Sequence, residues 1–250
     1  MTDFPILKIQ TSKKMIDFGI IAAGDGKRIK EDGISIPKPL VKIAGQPMLG
    51  RLIKLMENVG ARSVNVIINK DMPDVGEYLQ SFVPQLNCPL RFLSTQTPSS
   101  MHSFYELLQF MNPEDRYVVT TVDTVFGETE FRRYVEYFTN LDDSLDGLMG
   151  VTRFIDDESP LYVKTDTNNF ITAFEDGSDQ QNCFVSAGIY GLCRTSLPVL
   201  EQCVETGIKR MRNFQRNLLK AGLNLKAFDM GTVIDIDHLS DIEKANAFLV

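Results

Sequence analysis

The sequence predicts an α/β fold, a Rossmann-like three-layer α/β/α arrangement with a mixed, mainly parallel central sheet. Three observations predict it. Short apolar runs alternate with helix-periodic stretches through the first half, strand pairs and further helices fill the second half, and no Ser/Gly-rich or Pro-rich linker divides the 250 residues. The expected organisation is an N-terminal extension over 1–14 followed by one domain over 15–250, with Met15 as an alternative start.

The elements follow in order. "MIDFGIIAAG" reads as a first buried strand ending at glycine. Over 47–59, Met48, Leu49, Leu52, Ile53, Leu55, Met56 and Val59 recur at helical spacing, and "SVNVIIN" then reads as a buried strand. This βαβ unit implies a parallel strand pair. A helix over 75–82, the strand "LRFLST", a helix over 99–111 and the strand "RYVVTTVD" continue the alternation. A helix over 130–139 leads to the strand "DGLMGVTRF". A hairpin follows in "PLYVKTDTNNFITAFED", whose turn over 166–169 carries the Asx-rich chemistry of tight turns. The strand "CFVSAGIYGL", helical stretches over 198–221, the strands "LKAFDM" and "TVIDID", and a helix over 239–248 complete the chain.

Composition narrows the function classes. With 43% hydrophobic and 24% charged residues the chain can bury a sizeable core. A net charge of -7 argues against the basic footprint of a nucleic-acid binder and leaves free nucleotides as partners. No apolar run reaches the roughly 18 residues that span a bilayer. The start "MTDFPILKIQTSKKM" also lacks the order of a signal peptide, so a cytoplasmic location without membrane association is expected. Cys88, Cys183, Cys193 and Cys203 form no Cys-x-x-Cys pair and read as reduced thiols rather than a zinc site.

The segment after the first strand, "IIAAGDGKRIKEDGISIPKPL", points to phosphate binding, because glycine lets backbone N–H groups approach phosphate oxygens. It is not a dinucleotide fingerprint, since Ile29 stands where the third glycine belongs, nor a P-loop, since no Gly-Lys-Ser/Thr follows. On its own, Gly-x-Gly is more often a turn. Here Arg28, then Pro37-Lys38-Pro39-Leu40, then "VKIAGQPML" follow in order. The whole resembles the signature Ala-Ala-Gly-x-Gly-Thr/Ser-Arg … Pro-Lys-x-Leu of the sugar-phosphate nucleotidyltransferases, a family with the nucleotide-diphospho-sugar transferase fold. The resemblance implies a nucleotide cradle at Ala22, Ala23, Gly24, Asp25, Gly26 and Lys27, with Arg28 and Lys38 as catalytic cations. Lys27 departs from the pattern, replacing a hydroxyl with a charge.

Carboxylates complete the pattern. "RYVVTTVD" ends at Asp123, at the carboxyl edge where open α/β sheets present ligand-binding groups. Alone, such an aspartate caps a turn; the resemblance makes it a metal ligand. In "TVIDIDHLSDIEKA", Asp235 and Asp237 alternate with Ile234 and Ile236 and so face one side of a strand. The resemblance implies Asp237 as the second metal ligand, with Asp235 assisting. Asp241 fits the first turn of the last helix, where a carboxylate complements the helix dipole, and His238 reads as a loop residue. The implied cofactor is Mg²⁺, which takes one or two protein carboxylates and fills its remaining positions with water and phosphate oxygens.

In the resembling family, "STQTPSSMHSFYELL" occupies the place that reads base and ribose, which assigns Ser100 and Ser103 to the nucleotide. A serine-rich helix cap is the alternative for that stretch. It is similar to the choline-phosphate cytidylyltransferase-like branch, and the mannose-1-phosphate guanylyltransferase-like branch is the other comparison. For the acceptor the resemblance implies Ser186, Gly188 and Tyr190 in "VSAGIYGL", with Glu175 and Lys164 in the hairpin; Asp176 stands where the family has lysine. As plain strand residues, Tyr190 would be a core aromatic and Lys164 a solvated lysine. The expected activity joins an NTP to a sugar 1-phosphate or a small phosphoalcohol and releases pyrophosphate. A glycosyltransferase of the same fold and a silent nucleotide-sugar-binding regulator are the alternatives. A homo-oligomer is left open. The chain ends soon after the last motif, so the β-helical domain of some family members is not expected.

Overall fold

The computed structural model describes residues 15–156, 159–177 and 183–249, so the expected extension over 1–14 lies outside the described residues. Strand β1 (Asp17–Ala22) is buried at every position. The glycine segment follows, and it contains a short helix α1 (Lys27–Glu31) that the sequence pattern did not predict. Five residues are too few to show a helical period. A 3-10 turn over Lys38–Leu40 and a small hairpin of β2 (Lys42–Ile43) and β3 (Gln46–Pro47) lead into α2 (Met48–Asn58). Then come β4 (Ser63–Asn69), α3 (Pro73–Phe82), β5 (Leu90–Thr95), α4 (Ser100–Met111) and β6 (Arg116–Thr121).

The second half begins with β7 (Thr124–Phe126), α5 (Glu128–Thr139) and β8 (Gly147–Thr152). The expected hairpin is β9 (Tyr162–Thr165) and β10 (Ile171–Glu175). Its turn is held by Asp166 Oδ1, which accepts from the N–H groups of Asn168 and Phe170 at 2.8 Å each. Strand β11 (Phe184–Cys193) precedes α6 (Leu197–Glu205) and α7 (Met211–Lys220). These two helices part beyond Gly207, whose φ of 74° a side chain would resist. Strands β12 (Leu225–Asp229) and β13 (Val233–Asp235) and helix α8 (Leu239–Phe248) finish the chain.

Among the described residues, nine strands form the mixed central sheet. Strands β6, β1, β4 and β5 run parallel in that order, and β11 joins β6 antiparallel. Beyond β11 lie β9 with β10 on one path and β8 with β12 on the other. Alternate residues of each strand feed two cores. Phe18, Ile20, Val64, Val66 and Val118 pack under α2, α3 and α5. Ile21, Ile67, Tyr117 and Val119 pack under α4, α6 and α7. This is the expected three-layer arrangement, and each fully buried aliphatic or aromatic side chain contributes about 1.5–3 kcal/mol.

A third, smaller core sits at the carboxyl edge of the sheet. It gathers Ile29, Val41, Ile43, Met48, Val125, Ile234, Ile236 and Ala245, so the glycine segment and the last helix share one apolar floor. Strand β13 pairs there with β7, in a two-stranded sheet separate from the main one. The sequence showed β13 as a strand but not its partner, because three residues carry too little pattern to assign a pairing.

Candidate active site

The loop leaving β1 builds the first wall. Gly24, Asp25 and Gly26 donate their N–H groups to no acceptor among the described residues, which leaves them available to an anion. Asp25 Oδ1 accepts from Asn69 Nδ2 at 3.0 Å, which pins the loop to the end of β4. Gly26 has φ 61°, and a Cβ there would lie 3.0 Å from Lys38 Cβ; glycine thus permits both the turn and the approach of Lys38. Ala22 is buried in the core as the last residue of β1, and Ala23 packs against the opposite core. Lys27 is exposed at the start of α1, beside a recess of about 170 Å³ that Gly26, Arg28, Lys38 and Asp237 also line.

The charged centre lies below this loop. Lys38, largely buried, donates from Nζ to Asp123 Oδ2 at 2.6 Å and to Asp237 Oδ1 at 2.9 Å. Arg28, more than half exposed, donates to the other Asp237 oxygen. Burial alone would lower the Lys38 pKa, but the two carboxylates hold it above the ordinary lysine value. Burial likewise pushes Asp123 up, yet the Lys38 charge and hydrogen bond, with help from Thr121, bring it below the usual carboxylate range.

Asp123 is not in β6, as the sequence suggested, but in the two-residue turn between β6 and β7. Its carbonyl accepts from Ile236 N–H at 3.0 Å, which ties the turn to the chain leaving β13. Ile234 and Ile236 face the small core, and Asp235 and Asp237 alternate outward as expected. The two aspartates border different recesses: Asp237 the small one beside Lys27, Asp235 a larger one of about 560 Å³ together with Asp123.

Asp237 is oriented by the first turn of α8. Asp241 Oδ2 accepts from the N–H groups of Asp237 at 3.1 Å and His238 at 2.8 Å, in the helix-capping place expected for it. His238 is the N-cap, and its ring pairs with Asp32 Oδ2 at 3.0 Å, which also accepts from Leu239 N–H at 2.9 Å. The Leu239 and His238 hydrogen bonds hold Asp32 below the ordinary carboxylate range. The sequence did not single out Asp32.

The donor set fits a hard divalent cation. Two carboxylates converge on one ammonium, at 2.6 and 2.9 Å, and Asp235 borders the adjoining cavity. No cluster of three or more acidic, His or Cys ligands occurs among the described residues. A pair of carboxylates suits an ion that keeps water and phosphate oxygens rather than one needing an all-protein cage. Asp123, Asp237 and Asp235 are the groups that could hold it.

Arg28 borders both recesses, and Ser100, Ser186, Gly188 and Tyr190 line the larger one. Gly188 has φ 68° at a register shift in β11, and a Cβ there would lie 2.7 Å from Thr124 Oγ1 and 2.9 Å from Thr121 Oγ1. Those hydroxyls are 2.6 Å apart and bracket the Asp123 turn. Burial raises the Tyr190 pKa, and the charges of Asp235 and Asp123 add to the rise, so its hydroxyl stays protonated.

Three expected residues do not reach the cavity lining. Ser103 is buried and spends its hydroxyl on Thr97 Oγ1, at 2.6 Å, and the Ser99 carbonyl, at 3.3 Å, a structural role at the start of α4. Lys164 and Glu175 pair with each other at 2.9 Å across the β9–β10 hairpin. Asp176 engages Arg212 and Arg216 at 2.6 and 2.8 Å. The cavity wall is supplied instead by Arg210, Met211, Arg212 and Gln215 at the start of α7. The signal that could have found them was a glutamine on that helix's apolar stripe.

Residues 19–153, more than half of the chain, match the MobA-like NTP transferase domain family. The chain belongs to this family. The matched region of this MobA-like NTP transferase domain includes the glycine loop, Arg28, Lys38 and Asp123, and stops before Asp235 and Asp237. It is 24% identical over 117 residues to the bifunctional IPC transferase and DIPP synthase of Aquifex aeolicus, covering 47% of this chain and 27% of that one. It is 41% identical over 110 residues to the bifunctional protein GlmU of Bartonella quintana, covering 44% and 22%. The chain thus spans about a quarter of the length of these curated relatives. The inositol-1-phosphate CTP transferase from T. maritima shares the fold, with a TM-score of 0.75 at 16% identity over 94% of this chain and 98% of that one. Among the described residues no helix is long and apolar enough to cross a membrane.

Proposed function

We propose that this chain is a nucleotidyltransferase that joins an NTP to a sugar 1-phosphate or similar small phosphate, yielding an NDP-sugar or NDP-alcohol and pyrophosphate. The observation that carries this reading is the four-residue charge cluster of Arg28, Lys38, Asp123 and Asp237, set between a loop of free N–H groups and a 560 Å³ cavity. Two cations and two carboxylates balance each other before substrate arrives. An incoming triphosphate competes for Arg28 and Lys38, and the carboxylates they leave become available for metal.

An acceptor phosphate oxygen attacks the α-phosphorus in line, the bond to the bridging oxygen breaks, and pyrophosphate leaves. The attacking phosphate is already ionised near neutral pH, so no general base is required. Positioning and charge neutralisation carry the rate. The amides over 23–27 cradle the phosphates, with Lys27 at the outer lip, and Arg28, bordering both recesses, spans the leaving and attacking sides. Lys38 neutralises charge that develops between them. Mg²⁺ held by Asp123 and Asp237, with Asp235 beside them, would neutralise phosphate charge and fix the α-phosphate. Ser100 lies on the nucleotide side, and Ser186, Gly188 and Tyr190 on the acceptor side. The T. maritima inositol-1-phosphate CTP transferase supports a small phosphorylated acceptor. The four free cysteines fit a cytoplasmic location.

Incubation with Mg²⁺, each NTP in turn and a panel of small phosphates, with pyrophosphate as the readout, tests the reading. Release with at least one pair is expected. No release across the panel, with nucleotide still bound, overturns it.

A further inference from the structure

Helix α8 carries the anchor of Asp237 but has little apolar hold on the domain. Of its 10 residues only Asp241 and Ala245 are buried, and Ile242 and Phe248 pack partly against the small core. A helix is normally fixed by the apolar face it packs, so with a face this small its polar ties carry more of its placement. Two such ties run to the glycine segment and the hairpin after it. Asp32 Oδ2 accepts from Leu239 N–H at 2.9 Å and pairs with the His238 ring, and Asn246 Oδ1 accepts from Ala44 N–H at 2.6 Å.

Lys244 makes a tie on the opposite side. Its ammonium pairs with Asp156, which borders the larger cavity, and with Asp241 Oδ1 at 3.3 Å, one turn earlier on the same helix face. The buried Asp241 turns its other oxygen to the N–H groups of Asp237 and His238. One cation thus joins the cavity wall to the carboxylate that fixes the Asp237 backbone. On the wall itself, Thr152 Oγ1 accepts from Phe154 N–H at 2.9 Å, so Phe154 and Ile155 stand on the cavity lining between two anchored points. The Lys244 and Asp156 side chains are 42% and 41% exposed, and an exposed ion pair adds little to global stability. Its effect is local: it sets where the first turn of α8 sits against the cavity wall.

We propose that Lys244 is a positioning residue for nucleotidyl transfer, which by holding Asp156 and Asp241 together sets Asp237 toward the metal and Phe154 and Ile155 toward the acceptor. The inference rests on the nucleotidyl-transfer reading of the site and adds to it a residue that lines neither recess.

The test reads metal binding apart from turnover, on the full chain. Mn²⁺ is titrated by electron paramagnetic resonance with each α,β-methylene NTP in turn, and pyrophosphate release is followed separately. Lys244→Met should weaken Mn²⁺ binding about tenfold, the lower end of what loss of a group behind a metal ligand costs, and raise the acceptor KM. Lys244→Arg keeps the charge and should restore both. Asp156→Asn removes the tie from its other end and should give the same losses, so a Lys244→Met chain that does not fold leaves the inference testable. A lower Tm with unchanged Mn²⁺ affinity in Lys244→Met and Asp156→Asn would show a purely structural pair and overturns the inference. A wild type that binds no Mn²⁺ with any nucleotide also overturns it. Weaker Mn²⁺ binding in the variants without pyrophosphate release by the wild type upholds the placement of Asp237 and overturns nucleotidyl transfer. Release by the wild type with unchanged Mn²⁺ affinity in the variants overturns the inference and leaves transfer standing.

Discussion

The Lys38 ammonium donates to the Asp123 carboxylate at 2.6 Å, joining residues 85 positions apart. With Asp237 at 2.9 Å on its other side, this one cation bridges two carboxylates. Lys38→Met should therefore lower stability by about 1–3 kcal/mol, since Asp123 then loses its cation and Asp237 keeps only the exposed Arg28. Added Mg²⁺ should restore much of that loss. Thermal unfolding with and without MgCl₂ checks it: the Mg²⁺-dependent rise in Tm is expected to be larger in Lys38→Met than in the wild type. Equal rises would mean that lysine and metal do not share the site.

Asp123→Asn keeps the shape of the side chain and removes its charge. Turnover should fall by on the order of 10²–10³, while the fold persists. Steady-state pyrophosphate release across a Mg²⁺ series is the measurement, and near-normal activity would remove Asp123 from the metal site.

Gly188→Ala combines an unfavourable φ of 68° with a Cβ only 2.7 Å from Thr124 Oγ1. The expected loss is about 1–3 kcal/mol in urea unfolding. Because Thr121 and Thr124 bracket the Asp123 turn, kcat should fall as well. A destabilised variant with unchanged kcat would show that Gly188 matters to β11 alone.

Glu57 supplies a pH dependence away from the site. Burial alone would raise its pKa, but Asn87 N–H at 2.6 Å and Lys54 Nζ at 2.9 Å bring it below the ordinary value. With the folded-state pKa below the unfolded one, the unfolded chain takes up the proton first as pH falls. The contribution is therefore complete above the unfolded value of about 4.3, and is lost as pH drops through the folded pKa. The stability gap between wild type and Glu57→Gln should be about 1 kcal/mol at pH 7 and close in acid. A gap that persists at low pH would contradict the ion pair.

Long apolar or capped stretches were legible from sequence. Strand β4 and helix α8 lie where the pattern put them, because seven buried residues in a row and an acid in a helix's first turn are strong local signals. The glycine segment and Asp123 were legible because they are close in sequence to the strands that present them. Helix α1 was not, since a five-residue helix entered through a left-handed glycine has no period to read. Ser103 was assigned to the nucleotide because a serine near a helix start looks the same whether it faces a ligand or Thr97. Lys164 and Glu175 satisfy each other across a hairpin, and cross-strand proximity of that kind depends on register. The Gln215 environment depends on how α7 lies against β11, which no local spacing encodes.

Arg28 and Asp237 meet across 209 positions, and Lys38 and Asp237 across 199. The site is thus a seam between the two ends of the domain, formed only after nearly everything between has found its place, and such long loop closures come late and slowly. A nascent chain still lacking β13 and α8 has the glycine loop, Lys38 and Asp123 but not Asp237, so the seam lacks one of its two carboxylates. A ligand that binds only the closed seam would in turn stabilise the completed fold. On the proposed reading, nucleotide affinity is therefore expected to report on finished folding and to fall on a nick or local unfolding near the C-terminal helix before the core itself gives way.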